Sequence, residues 1–525
     1  MTHVDIVIIG GGVTGAGCLL EALSRGLRCV LLEKGDFSSG TTSASSRLIH
    51  GGIRYLEHLH FGLVAESLKE RFWIWQHFPH LLRPIAIHIP VYGWGKRSPL
   101  VAGLGVKLHD LLAGKAKIEK SSIYLGKKAR NVVREISHDG LSGLFVFHDY
   151  QILMPERIAL ESIDAAVSMG GRAENYTRVE KISQTDGGYL VEARNSHTGE
   201  NALFSAAAVI NAAGAWIDEV RKMAGFRGKL LRPTKGIHLE AEKLTGRALF
   251  VEAETDRRLF FILPFLNHTL VGTTDTDHPG SPDDVRPLPG DVDYLISNVN
   301  RIFGGVKLGP SRIFSAYAGL RPLINVPGKS ESAVPRRHLV VCEGPGGRFV
   351  SITGGKLTTY RKMAEDTVKK AQAVLGNPGG KREGPPFLPC GITDPREREE
   401  FIRHLTGEHG IGEETASALY TVYGTRADVL LAFAGGDARL KSPLSPETAE
   451  IPAQILYAYE KESAKCLEDV LLRRMLIGKT PKKGLGEEGK IKEVLTRYMG
   501  KSPGEADGLF SSFRDSAAAK FMIKI

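Results

Sequence analysis

The sequence predicts an α/β chain with added α+β character: a parallel, helix-covered sheet, a mostly antiparallel β region interleaved with it, and a helical C-terminal part. Three patterns carry that prediction. Residues 4–32 read as strand, glycine turn, helix and strand, residues 231–315 alternate apolar and polar positions with period two, and residues 387–525 repeat their apolar positions at helical spacing.

At 525 residues the chain exceeds what one hydrophobic core organises, so two or three domains are expected. Hydrophobic content of 42% and charged content of 24% place it among soluble globular chains. Cys18, Cys29, Cys342, Cys390 and Cys466 show no C-x-x-C spacing, which argues against an iron–sulfur cluster, a structural zinc or a disulfide framework and implies a reducing compartment. No metal is expected. A strand beginning at Val4 leaves no signal peptide, and no apolar run approaches the roughly 20 residues that span a bilayer, so membrane contact is expected to be peripheral.

The formal charge of +10 suggests an anionic partner: a phosphorylated substrate, an anionic membrane surface or nucleic acid. Two segments hold most of the excess, with nine Lys/Arg against two acids in residues 96–130 and nine against three in residues 473–501. The first, "GKRSPLVAGLGVKLHDLLAGKAK", interleaves Leu and Val with its lysines, as an interfacial segment on anionic lipid does; an ordinary basic surface is the plainer reading. Neither segment has the basic and aromatic interleaving of a nucleic-acid reader, so no nucleic-acid partner is expected.

In the N-terminal unit, the β-branched run of residues 6–9 suits a parallel strand buried on both faces. Gly10-x-Gly12-x-x-Gly15 then opens a helix that ends at Gly26. Gly10 permits the tight turn, Gly12 lets a pyrophosphate approach the backbone, and Gly15 lets helix and strand pack closely, with the helix N-terminus facing the phosphates. The second strand, "RCVLLEK", ends in Glu33, where a carboxylate accepts bonds from ribose hydroxyls. This is a Rossmann-like dinucleotide site. The acid disfavours NADP and leaves NAD and FAD.

A simple nicotinamide enzyme would continue into further βα units. Here the chain runs instead into "GDFSSGTTSASSRLIHGGIRYLEH", a long polar stretch that leads into an amphipathic helix carrying Phe61, Val64, Ala65, Leu68, Phe72 and Trp75. It reads as a segment held against a ligand. "GLFVFHDY" and "GYLVEAR", with a helix between them, suggest that the nucleotide unit resumes, and "AAAVINAAGAW" is a buried strand ending in small residues. "GIHLEAE", "RALFVEA", "RRLFFILPF" and "HTLVGTTD" form the antiparallel region, and "GGKLTTYRKMAE" places another helix N-terminus near the ligand. "GNPGGKREGPP" is a Gly- and Pro-rich linker. The expected division is therefore 1–75, 145–230 and 316–375 for the dinucleotide domain, 76–144 and 231–315 for a substrate or cap domain, 376–386 for the linker and 387–525 for the helical domain.

"TTSASSRLIHGGIRYLEH", "GTTD" (272–275), "AGLRPL" (318–323) and "GGKLTTYRKMAE" (354–365) occur in the order of the FAD-dependent glycerol-3-phosphate dehydrogenases, which the sequence closely resembles over most of its length. The resemblance implies FAD as cofactor and oxidation of sn-glycerol 3-phosphate to dihydroxyacetone phosphate by hydride transfer from C2 to flavin N5. It implies quinone or another membrane acceptor for the electrons, or oxygen in the oxidase branch. It places the enzyme on the inner face of the cytoplasmic membrane, and a homodimer is compatible with it.

For the cofactor, the resemblance points to Gly10, Gly12, Val13, Thr14, Gly15, Glu33, Lys34, Thr42, Ser43, Ser46, Arg47, Leu48, His50, Gly51, Val179, Ala213, Gly214, Gly355, Lys356, Leu357 and Thr358. A phosphate dianion calls for arginine, whose planar fork binds it bidentately. Arg54, Arg321 and Arg336 are the candidates, with Arg337 adjacent to the last and Tyr55 as a neutral donor. Proton removal wants a base near neutrality, and His238 with an ordinary imidazole pKa of about 6.5 suits it. Lys356 is the other candidate, and Arg321 completes the catalytic set. "MPERIAL" (154–160) and Ala212-Ala213-Gly214 depart from the family pattern without removing a reacting group. An amino-acid or amine oxidase of the same fold, and a non-catalytic flavin-binding subunit, are the competing readings.

Overall fold

The computed structural model describes residues 1–95, 97–305, 307–326, 337–376 and 390–521. The chain opens with β1 (Thr2–Ile9), α1 (Val13–Leu23) and β2 (Cys29–Leu32). It continues through α2 (Phe61–His77), β3 (Leu82–Tyr92), α3 (Pro99–Ala113), β4 (Leu141–Ile152) and α4 (Glu156–Ser168). A hairpin of β5 (Thr177–Thr185) and β6 (Gly188–Asn195) leads to β7 (Asn201–Asn211). Then follow β8 (Leu231–Ala241), β9 (Ala248–Glu252), β10 (Leu259–Phe265), β11 (His268–Gly272) and β12 (Ile313–Ile324). The last strands are β13 (Leu339–Glu343) and β14 (Phe349–Thr353), before α5 (Tyr360–Val374). From residue 390 the described chain is helical and ends in α6 (Pro503–Phe521).

The first sheet runs β13-β14-β7-β1-β2 and is parallel from β14 to β2, with the β5–β6 hairpin joined antiparallel to β7. Both faces of β1 are covered, which is why its core residues are β-branched without alternation: Ile6 and Ile8 pack with Leu19 of α1 and Ile158 of α4, while Val7 and Ile9 pack with Val30, Val179 and Val191. Gly10 has φ of 110° and Gly15 is so close to β1 that a Cβ there would lie 1.8 Å from the Gly10 carbonyl oxygen. Any side chain at either position would push the helix off the strand.

The second sheet runs β8-β11-β10-β9-β3-β4, with β12 on the other side of β8, and every one of these pairs is antiparallel except β9 with β3. The expected domain boundary at 145 falls inside β4, which pairs along its length with β3, and the one at 316 falls inside β12, which pairs with β8. Both strands therefore belong to the second sheet. A buried apolar strand looks the same in sequence whichever sheet it joins, because pairing partners are not written in its own pattern. The expected linker lies, apart from Gly376, outside the described residues.

The C-terminal helices share one apolar core with the second sheet, in which Leu430, Ile455 and Phe513 join Phe147, Phe265 and Tyr317. Buried ion pairs tie these helices to both sheets: Asp36, after β2, with Arg473 and Arg474; Glu156, at the start of α4, with Lys479 at 2.6 Å; and Glu240 of β8 with Lys483. Four cations of the second basic segment, Arg473, Arg474, Lys479 and Lys483, are therefore buried and neutralise acids brought from the first half of the chain.

Candidate functional site

A cavity of about 1180 Å3 opens where the C-terminal ends of β1 and β2, the long segment after β2, and strands β8 and β12 meet. It exceeds the roughly 300–1,000 Å3 of ordinary small-ligand pockets, so it can hold an extended dinucleotide and a substrate together. Gly10, Gly12, Val13 and Thr14 line it at the N-terminus of α1, with the Val13 amide donating to Thr42 Oγ1 at 3.1 Å. At the β2 end, Glu33 accepts from the amides of Gly11 at 2.6 Å and Gly35 at 2.8 Å. Burial pushes this carboxyl's pKa up against the pull of those two amides, and each oxygen keeps a lone pair for a ribose hydroxyl. Lys34 lies over the Trp216 ring at 4.2 Å and pairs with Asp283 at 2.8 Å.

The segment after β2 forms one wall. Thr42, Ser43, Ser46, Leu48 and His50 line the cavity, and the segment is pinned by the Gly51 amide donating to Asp149 at 2.9 Å, Asp149 being itself paired with Arg71 at 2.5 Å. The His50 amide donates to Thr358 Oγ1 at 3.2 Å, tying this wall to the turn before α5. Burial and the nearby Lys356 lower the His50 pKa to about 4.

The candidate reacting groups also line the cavity. His238 on β8 sits opposite Gly272 of β11 and Tyr317 of β12. Its ring stacks on Tyr317 with centroids 5.0 Å apart, and Nε2 is 2.8 Å from Ser46 Oγ. A Cβ on Gly272 would come within 2.3 Å of this ring, so the position admits only glycine. Arg321 donates to the Thr273 hydroxyl and the Asp275 carboxylate, each at 3.0 Å, and to the Thr274 carbonyl. Lys356 donates to Ser67 Oγ and lies over the Tyr55 ring at 4.6 Å. Arg54 and Tyr55, in the helical turn Ile53–His58, line the same space.

One expectation needs correction. His238 is 3% exposed, and burial first, then the charges of Arg321 and Arg47, lower its pKa to about 3. In this state it is neutral but far from an unperturbed imidazole.

The remaining expected residues divide clearly. Val179, Ala213, Gly214, Gly355, Lys356 and Leu357 line the cavity. Gly15, Gly51 and Thr358 stand behind it, supporting residues that do. The Arg47 side chain turns away: it is 3% exposed, donates to the Leu153 carbonyl at 2.9 Å and lies over Phe265. Arg336 lies outside the described residues. Sequence reasoning missed Arg258, which lines the cavity and donates to the Asp275 carbonyl, although "RRLFFILPF" held the signal: an arginine at the head of a strand otherwise apolar. It also missed Ser516 and Lys520 of α6, for which no local motif exists.

The described residues fit a dinucleotide, and the comparisons identify which. The family described as FAD dependent oxidoreductase matches residues 5–361, and the C-terminal domain of alpha-glycerophosphate oxidase matches residues 386–506. The chain is a member of the FAD-dependent oxidoreductase family. Within that family it belongs with the glycerol-3-phosphate dehydrogenases. The glycerol-3-phosphate dehydrogenase of a Synechocystis species is 32% identical over 98% of this chain and 96% of its own length. The aerobic glycerol-3-phosphate dehydrogenase of Staphylococcus aureus is 33% identical over 90% of this chain and 86% of its own. The FAD-complexed structure of the glycerol-3-phosphate dehydrogenase from Bacillus halodurans superposes with a TM-score of 0.78 at 26% identity, covering 99% of this chain and 94% of that one. The L-alpha-glycerophosphate oxidase of Mycoplasma pneumoniae shares the fold, with a TM-score of 0.57 and 18% identity, over 73% of this chain and 97% of its own. As a member of this FAD family, the chain takes FAD as its cofactor, and the cavity's glycine turn, Glu33 and long wall are the features that suit it.

Proposed function

We propose that the enzyme oxidises sn-glycerol 3-phosphate to dihydroxyacetone phosphate and passes the electrons to a membrane quinone. The observation that supports this reading is that Arg54, Arg258, Arg321, Lys356 and His238 all line the cavity that also receives the α1 N-terminus. A phosphate dianion needs several fixed cationic donors; an amino-acid carboxylate needs one.

FAD, when bound, supplies the acceptor for the hydride leaving C2 of the alcohol. Arg321 is held by the Thr273, Thr274 and Asp275 lattice, so its fork is already oriented when the dianion arrives and little rotamer freedom is lost. Arg54 and Tyr55 add donors from the facing wall, and Arg336 is the further phosphate ligand expected from the sequence. Lys356, fixed by Ser67 and Tyr55, places an ammonium where the alkoxide develops. His238 Nε2, beside the Ser46 hydroxyl, takes the hydroxyl proton. Burial is the chief cause of its low basicity, and a dianion beside Arg321 offsets only the smaller, charge-based part of that depression. In this reading the first sheet binds the dinucleotide and the second covers the substrate.

Docking to the inner face of the cytoplasmic membrane is assigned to α3. Leu100, Leu104 and Leu111 are 73%, 64% and 76% exposed there, Leu59 and Phe61 are exposed on the adjoining turn, and Lys107, Lys115 and Lys117 stand around them. No helix among the described residues is long and apolar enough to cross a membrane.

Anaerobic addition of glycerol 3-phosphate to the yellow holoprotein should bleach the oxidised flavin absorbance, and a quinone analogue should restore it. Bleaching by glycine or sarcosine instead would defeat the proposed substrate. Rapid stoichiometric peroxide formation in air, with no reoxidation by quinone, would make the enzyme an oxidase.

A further inference from the structure

Helix α6 begins at the end of the C-terminal family match, which stops at residue 506. Yet α6 reaches the catalytic cavity. Phe510, Phe513 and Ala517 bury one side of it in the helical core, while Ser516, Ala519 and Lys520 line the cavity.

At its end the Phe521 ring meets Tyr317 edge-on, centroids 6.3 Å apart. Tyr317 is the residue stacked on His238, and its hydroxyl donates to the Ser45 carbonyl at 3.0 Å, next to the Ser46 that faces His238 Nε2. Two residues along β8 from His238, and so on the same face, Glu240 accepts from Ser315 and from Lys483. The Lys483 ammonium stands 5.0 Å from the centre of the Phe521 ring. A chain of contacts thus runs from His238 through Tyr317, Phe521 and Lys483 to Glu240, which lies two residues from His238 on the same strand, and Phe521 and Lys483 come from the C-terminal region.

We propose that the C-terminal region is part of the catalytic apparatus, with Phe521 and Lys483 as positioning residues that hold Tyr317 and Glu240, and through them the His238 imidazole, against the cavity. The proposal rests on the reading of His238 as proton acceptor. Without Lys483, Glu240 would be a fully buried carboxylate lacking its cation; without Phe521, one edge of Tyr317 would lose its packing, and with it the plane on which His238 rests.

The test uses the full-length holoenzyme and measures FAD content, melting temperature, and the pH profile of anaerobic flavin reduction by glycerol 3-phosphate. Phe521→Ala should keep its FAD, slow reduction about tenfold and displace the acid limb of the profile, the scale set by one lost aromatic contact. Phe521→Leu keeps the volume and should be slowed about threefold, and Phe521→Tyr should match the parent. If Phe521→Ala does not fold, the Leu and Tyr variants decide. A parental rate and profile in Phe521→Leu, or a rate that falls only in proportion to FAD content, overturns the proposal. His238→Asn separates the two readings: a normal rate in that variant removes His238 as base, whereas a slow His238→Asn beside a parental Phe521→Leu removes only the role of the C-terminal region.

Discussion

The two basic segments are nearly indistinguishable in charge count, yet four cations from each come to lie in opposite environments. In residues 96–130, Lys107, Lys115, Lys117 and Lys120 are exposed beside the exposed leucines of α3. In residues 473–501, Arg473, Arg474, Lys479 and Lys483 are each 4% exposed or less, and each faces an acid from a distant part of the chain. The difference teaches that net charge in a window says nothing about solvation when the counter-charges arrive by tertiary contact. Asp36, Glu156 and Glu240 precede their partners by more than 200 residues in sequence. A desolvated cation is retained only with such a partner, whereas an exposed one needs none.

The largest expected effect therefore belongs to the buried segment. Arg474 donates to both oxygens of Asp36, and although burial pushes that carboxyl up, Arg474 and Arg473 outweigh it and keep its pKa low. Arg474→Ala leaves Asp36 charged and under-compensated, and should cost about 3–5 kcal/mol of unfolding free energy. Urea denaturation of the holoenzyme checks this. Lys115→Ala, in the exposed segment, should change stability by less than about 0.5 kcal/mol. Equal losses from the two substitutions would erase the contrast.

A second effect arises where the buried cations meet histidine. His268 is 1% exposed, and burial, with Lys483 and Arg47 opposing Glu240, lowers its pKa to about 4. The unfolded chain would titrate this group near 6.5, so between those values the unfolded state binds the extra proton. Stability from this site is complete above pH 6.5 and is lost as the pH falls toward 4, by up to about 3 kcal/mol. Comparing urea midpoints at neutral and acid pH for the parent and His268→Gln should show a flatter acid limb in the variant. An unchanged limb would mean that His268 is already protonated in the fold.

What could be read from the sequence follows the same division between local and tertiary information. The glycine turn, Glu33 and the period-two strands are local patterns, and each appears where expected. Arg321, His238 and Lys356 are expected from motif, and all three line the cavity. Sheet membership of β4 and β12 was not legible, because an apolar strand does not name its neighbours. The depressed His238 pKa was equally hidden, since it depends first on burial and then on the charges of Arg321 and of Arg47, which is 191 residues away. Arg258 was legible in principle, as a charge heading an apolar strand. Ser516 and Lys520 were not, because only the packing of α6 brings them to the cavity.

The exposed segment makes the next prediction. Replacing Leu100, Leu104 and Leu111 by Ala should weaken co-sedimentation with anionic vesicles by about 2 kcal/mol, roughly 30-fold, since each loses partly inserted apolar surface. The urea midpoint should scarcely move, because these side chains already face solvent. Unaltered vesicle binding in this variant would remove α3 as the docking element.

The smallest effect is also the one that tests both segments with a single variable. The attraction of an exposed lysine to an anionic surface is worth about 1 kcal/mol and decays within a Debye length, which shrinks from about 10 Å at 0.1 M salt to about 3 Å at 1 M. Lys115→Gln should therefore weaken vesicle binding about fivefold at low salt and leave it unaltered at high salt. Ion pairs such as Arg474 with Asp36 and Lys483 with Glu240 are closed off from the electrolyte, so the stability lost in Arg474→Ala should be the same at both ionic strengths. If added salt instead diminished that loss, water and ions would have to reach Asp36, and the junction between the C-terminal region and the dinucleotide-binding sheet would be a wet interface instead of a continuous core.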